Sequence, residues 1–127
     1  MTGLTAGPIS IVDDDASIRE AFQGMMRAVK WNVETFASAE EFLASGRVDE
    51  TSCLILDVAL PGMSGFDLQK RLNAERRAIP IIFITAHADE ISRQRALDAG
   101  AVDLFAKPVR GQALLKAIRA AIERGRP

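Results

Sequence analysis

Short apolar runs alternate with longer amphipathic stretches along the whole chain. Residues 8–12 predict a strand, because Ile9, Ile11 and Val12 are β-branched. Residues 16–30 predict a helix: Ile18, Phe22, Met25, Met26 and Val29 recur at three- and four-residue steps, and Asp15 stands where an N-cap belongs. Residues 31–36 predict a second strand, with Val33 and Thr35 opposed to Asn32, Glu34 and Phe36. Ser38 and Glu41 have the capping-box spacing and open a short helix through Phe42 and Leu43 that ends near Gly46.

Residues 53–57 form an unbroken apolar run that stops at a carboxylate, the pattern of a strand buried on both faces. A loop over residues 61–65 follows, then a helix begun by Ser64 and Asp67 that carries Phe66, Leu68 and Leu72. Pro80 introduces a fourth strand, residues 81–84, ending at Thr85. A weakly amphipathic helix covers residues 90–99 and stops at Gly100. Residues 102–106 are the fifth strand, broken by Lys107-Pro108, and residues 112–124 the last helix, with a frayed end at 125–127. Five β-α units in succession predict one domain, 1–127 with its core at about 8–124. Its fold class is α/β: a flavodoxin-like, doubly wound parallel sheet with right-handed crossovers.

Composition changes this picture little. The 127 residues suit a single domain, and 48% hydrophobic with 26% charged residues is ordinary for a globular protein. A net charge of −1 supplies no basic field, so direct nucleic-acid binding is not expected. No apolar run reaches the ~18 residues that span a bilayer, and no basic-then-apolar leader opens the chain, so no membrane contact and a cytoplasmic location are expected. Cys53, the one cysteine, reads as a core residue.

The chemistry sits at the strand ends. The first strand ends at Asp13-Asp14, the third at Asp57, the fourth at Thr85 and the fifth at Lys107. In a parallel sheet these ends share one edge, where open α/β sheets bind ligands at the switch in strand order. For order 2-1-3-4-5 that switch brings Asp13, Asp14 and Asp57 together. Singly, each residue has a plainer reading as a helix cap, a turn residue, a strand residue or a loop lysine. Together they point to phosphoryl chemistry. Three close carboxylates repel unless a cation joins them, and Mg²⁺ suits oxygen ligands. Asp57 is the candidate nucleophile, Lys107 a counter-charge and Thr85 a hydroxyl donor for phosphoryl oxygens.

As an ordered set, Ile11-Val12-Asp13-Asp14-Asp15, Leu56-Asp57, Pro61-Gly62-Met63-Ser64-Gly65, Ile84-Thr85-Ala86, Ala99-Gly100-Ala101 and Lys107-Pro108 resemble the response regulator receiver domain of two-component signalling, over residues 8–124. The resemblance implies that Asp57 takes phosphate from a sensor histidine kinase or a phosphotransfer protein. It implies Mg²⁺ held directly by Asp14, mainly through water by Asp13, and by Asp57 and the Ala59 backbone carbonyl. Lys107, Thr85 and the Ala86 N–H would meet the phosphate, while Ala59 and His87 would flank it and set its lifetime. Thr85 would then reposition the surface of residues 90–100, 102–106 and 112–124 for an output partner or self-association. The family usually has an aromatic switch residue where this chain has Leu104; the neighbouring Phe105 points to the other face and reads as core.

Two rivals remain open at this stage. A phosphohydrolase of the haloacid dehalogenase type also uses an aspartyl phosphate, but needs an acid two residues after the nucleophile, where Ala59 stands. A pseudo-receiver, a binding module of the same fold, would normally lack part of the acidic cluster or the lysine.

Overall fold

The structure, a computed structural model, describes residues 7–124; the frayed end expected at 125–127 lies outside them. Its elements run β1 Ile9–Val12, α1 Ala16–Ala28, β2 Val33–Phe36, α2 Ala39–Ala44, a 3₁₀ turn Val48–Glu50, β3 Cys53–Asp57, α3 Gly65–Ala74, β4 Ile81–Thr85, α4 Glu90–Asp98, β5 Asp103–Ala106 and α5 Gly111–Arg124. All five strands are parallel, in the order β2-β1-β3-β4-β5. This is the doubly wound, flavodoxin-like sheet that the alternation of elements implies.

Side-chain alternation divides the core into two layers. Ile9, Ile11, Cys53, Ile55, Ile82 and Ile84 face one side, under Phe22 and Met26 of α1 and Leu114, Ile118 and Ala121 of α5. Val12, Leu54, Leu56, Phe83 and Leu104 face the other, under Phe42 of α2, Leu68 and Leu72 of α3 and Ala96 of α4. β1, β3 and β4 are buried along their whole length, which explains their largely apolar sequence; the buried Ser10 of β1 shares a hydrogen bond with the Thr51 hydroxyl. Cys53 is fully buried, and burial pushes its thiol up to about 12. Phe105 is half-buried on the α1/α5 side, the face opposite Leu104.

The helix starts follow their caps. Asp15 accepts from the Ser17 N–H at α1, and Asp89 from Ser92 at α4. Ser64 and Asp67 close a full capping box at α3. At α2 the box is offset: Ser38 Oγ accepts from the Glu41 N–H, but the Glu41 carboxylate accepts from Ala37, one residue before the cap. α1 stops two residues short of the expected end, because Lys30 turns into the left-handed region at φ 65°.

No described helix is long and apolar enough to cross a membrane.

Candidate functional site

The carboxyl edge of the sheet gathers the strand-end residues. The Asp13 N–H still pairs with the Phe36 carbonyl, so this residue prolongs the β1 ladder by one step and is fully buried. Asp14 follows it and is exposed. Asp57 ends β3 and is 3% exposed. Each of these three offers a carboxylate oxygen within 4.8 Å of the others. Lys107 arrives from the end of β5, its N–H bonded to the Thr85 carbonyl. Its ammonium lies 3.2 Å from Asp57 Oδ2 and 3.0 Å from Asp13 Oδ2.

These two contacts differ in kind. Lys107 Nζ donates a hydrogen bond to Asp57 Oδ2. Its approach to Asp13 Oδ2 is an ion pair without hydrogen-bond alignment, so this buried oxygen has no hydrogen-bond partner. Asp13 Oδ1 is occupied by the Asp15 N–H, and Asp57 Oδ1 by the Ala59 N–H. Burial raises the Asp57 carboxyl above its ordinary range and the neighbouring Asp13 adds to the rise, while Lys107 and the Ala59 N–H oppose it. Burial pulls Lys107 down, but the Asp13 and Asp57 carboxylates beside it outweigh that and hold it above the usual lysine value.

Three carboxylates against one ammonium leave a net negative pocket, and a buried oxygen in it lacks a partner. A hard divalent cation with oxygen ligands fits both features. The site residues therefore suit Mg²⁺.

Thr85 ends β4, 4% exposed, and its hydroxyl accepts from the His87 N–H at 3.1 Å. Phe83 pairs with Leu104 in the ladder, and alternation puts Thr85 on the face that both share. Leu104 is 2% exposed, in the layer beneath α4. Ala59, Ala86 and His87 are exposed in the loops after β3 and β4.

Three further contributors show their roles only in the folded chain. A Cβ on Gly65 would overlap the Asp57 carbonyl oxygen, so glycine lets α3 begin directly against the end of β3. Glu40 of α2 accepts from the Met63 N–H at 2.8 Å and ties down the loop after Asp57. Arg19 of α1 donates to the Asp13 carbonyl at 2.7 Å. Each acts on a backbone group, and the sequence does not show the contact it makes.

The sequence pattern of the response regulator receiver domain matches residues 9–119. The chain belongs to this family. Nodulation protein W of Bradyrhizobium diazoefficiens is 48% identical over 122 residues, which are 96% of this chain and 54% of that protein. The response regulator protein TodT of Pseudomonas putida is 46% identical over 118 residues, 93% of this chain and 52% of TodT. The chain thus spans about half the length of these curated relatives. The crystal structure of FixJ-N superposes with a TM-score of 0.85 at 33% identity, covering 98% of this receiver chain and 99% of FixJ-N.

Proposed function

We propose that this receiver domain is a phosphoacceptor: Asp57 takes a phosphoryl group from a phosphohistidine on a sensor kinase or phosphotransfer protein. The observation that carries this reading is the buried Asp57 carboxylate, flanked by Asp13 and Asp14 oxygens within 4.8 Å and by the Lys107 ammonium at 3.2 Å. An oxygen of Asp57 attacks phosphorus, the bond from phosphorus to the donor's nitrogen breaks, and the imidazole leaves neutral. Lys107 then pairs with a phosphoryl oxygen, and the Thr85 hydroxyl and Ala86 N–H bind the others. Asp14, Asp13 through water, Asp57 and the Ala59 carbonyl would hold Mg²⁺, which neutralises phosphoryl charge and fixes the line of attack. The domain catalyses only its own phosphorylation and dephosphorylation.

A groove of about 480 Å³, lined by Ser17, Ile18, Ala21, Phe22, Pro108 and Val109, opens beside Lys107. Its mostly apolar wall next to the acceptor suits docking of the protein that would bring the donor histidine.

Exposed His87 and the small Ala59 flank the phosphate in this reading, so His87 tunes the lifetime of the acyl phosphate rather than its formation. Thr85 turns toward the phosphate and frees space that Leu104 can fill. The surface of α4, β5 and α5 then passes the state to an output partner or a second copy. Residues 8–124 act as one domain in the cytoplasm, with no nucleic-acid contact of its own.

Acetyl phosphate with Mg²⁺ should add one phosphoryl group, seen by intact mass. Asp57→Asn should abolish it, because an amide keeps the shape but is a poor nucleophile. A labelled Asn variant would overturn the assignment.

A further inference from the structure

Asp14 is exposed, so the direction of its carboxylate is set chiefly by its backbone. That backbone begins where the β1 ladder ends: the Asp13 N–H has a strand partner in Phe36, but the Asp13 carbonyl is met by a side chain, Arg19 Nη1, at 2.7 Å. The Asp13 carbonyl and the Asp14 N–H belong to one planar peptide. A donor that fixes this carbonyl fixes the plane from which both acidic side chains depart.

Arg19 is well placed to hold its end still. Its own N–H bonds to the Asp15 carbonyl in the first turn of α1, and Asp15 caps that helix through Ser17. The segment from Asp13 to Arg19 is therefore a closed loop of local bonds: Asp15 N–H to Asp13 Oδ1, Ser17 N–H to Asp15, and Arg19 back to the Asp13 carbonyl. α1 itself is anchored by Phe22 and Met26 in the core. Arg19 meets the Asp13 carbonyl and not a carboxylate, so it works through the backbone rather than as a counter-charge.

We propose that Arg19 is a positioning residue for the acid pocket: its guanidinium locks the Asp13-Asp14 peptide so that both carboxylates converge with Asp57 on a divalent cation. This rests on the reading of the pocket as a Mg²⁺ and phosphoryl site.

The test uses Arg19→Met, which keeps the apolar stem and loses the donor, and Arg19→Lys, which restores a charged donor. Mg²⁺ binding is measured by calorimetry, and phosphorylation by acetyl phosphate as a function of Mg²⁺. Arg19→Met should weaken Mg²⁺ binding by about tenfold, the factor for ~1.4 kcal/mol, in line with a lost hydrogen bond to a charged group. The maximal phosphorylation rate at saturating Mg²⁺ should stay within about twofold of wild type, and Arg19→Lys should recover most of the affinity. Amide relaxation of Asp14 in metal-free Arg19→Met should report added backbone motion. A purely architectural arginine would lower the melting temperature and leave Mg²⁺ affinity and Asp14 relaxation unchanged, which overturns the proposal. Should Arg19→Met fail to fold, Arg19→Lys with unaltered Asp14 relaxation but tenfold weaker Mg²⁺ binding would also overturn it. Wild type that binds no Mg²⁺, with Asp14 still mobilised by Arg19→Met, would instead sink the pocket reading and leave the backbone lock standing.

Discussion

α1 and α4 flank the same sheet and are held to it in different ways. α1 buries Phe22 and Met26 and packs Ile18 and Met25 against the core. α4 buries Ala96 alone, and leaves Ile91 83% and Leu97 37% exposed. Its attachments are polar. Gln69 donates to the Ala96 carbonyl at 3.1 Å and Asn73 to the Ala99 carbonyl at 2.9 Å, both from α3. Arg93 reaches the Leu104 carbonyl at 2.9 Å and Asp103 Oδ1 at 3.0 Å on β5, and Arg95 lies over the Phe66 ring. Apolar burial is non-directional and costly to undo, whereas a few hydrogen bonds can be exchanged for others at small net cost. The acids are thus fixed to the half of the molecule built like a core, and α4, one part of the surface proposed to carry the signal, is clipped on. An element with two arrangements is what coupling needs.

The largest expected effect comes from cutting into the fixed half. Met26→Ala removes a fully buried side chain and should cost about 2–5 kcal/mol. Leu97→Ala on α4 should stay within about 0.5 kcal/mol. Urea unfolding followed by Trp31 fluorescence checks both. Equal losses would mean that α4 shares the core after all.

The acids themselves supply the second test of the fixed half. The folded-state carboxyl of Asp57 is raised above its unfolded value of 3.8, so the native state holds this proton more tightly. Stability therefore falls as pH rises from 3.8 through the raised value, the reverse of an ordinary paired carboxylate. Asp57→Asn mimics the neutral acid. In metal-free buffer it should melt above wild type at pH 7, with the gap closing as pH falls toward the unfolded value. Added Mg²⁺ should raise the wild type and narrow the gap from the other side. A gap that widened on acidification would contradict the raised carboxyl.

Much of this contrast was legible in the chain, and its limits are physical. The strands were readable to within a residue, β2 to within two, because β1, β3 and β4 are buried on both faces and their polar residues are the single Ser10 and the strand ends Asp57 and Thr85. The weak apolar periodicity of residues 90–99 already marked α4 as a poor core helix. Asp13, Asp14, Asp57, Thr85 and Lys107 stood out because strand ends align in a parallel sheet. The overshoot of α1 arose at Val29, which fits the apolar spacing, and no rule makes Lys30 a preferred left-handed residue. The 3₁₀ turn Val48–Glu50 is too short to carry a period. Gly65 stood out within its motif, but its close approach to Asp57 did not; that contact, and those of Arg19, Glu40 and Gln69, are made by the folded backbone and leave no mark in the sequence.

Gln69 gives the next smaller effect and moves to the clipped half. Its side chain is 3% exposed, and its amide donates to the Ala96 carbonyl, which also accepts from the Ala101 N–H. Gln69→Leu keeps the volume and leaves that carbonyl one partner, so the loss should be about 1 kcal/mol. The loss should be local. Native-state hydrogen exchange should report faster opening over Glu90–Asp98, with Ala16–Ala28 changed only as much as the global stability. Equal acceleration in both helices would place Gln69 in the common core and erase the contrast.

Arg93 should have the smallest effect on stability and the most specific one on the switch. Its side chain is 43% exposed, so its ion pair with Asp103 is worth about 0.2–1 kcal/mol. Yet its second bond lands on the carbonyl of Leu104, the residue beside which Thr85 is proposed to move. Arg93 therefore ties α4 to the β5 position that the phosphate would disturb. Removing it lowers the cost of separating α4 from β5, and does so equally with or without phosphate only if the clasp survives activation. If the clasp belongs to the unphosphorylated arrangement, Arg93→Ala shifts the population toward the other one before any phosphate is added. Amide spectra should then show Glu90–Ala106 of the unmodified Arg93→Ala protein part-way toward the wild-type spectrum in beryllofluoride, while Asp13 and Asp57 stay at their resting positions. Exchange over Ala16–Ala28 should not change. Arg93→Ala spectra that match resting wild type throughout α4 and β5 would mean that the clasp does not discriminate between the states, and that the contacts with α3, through Gln69, Asn73 and the Phe66 ring under Arg95, hold the movable helix.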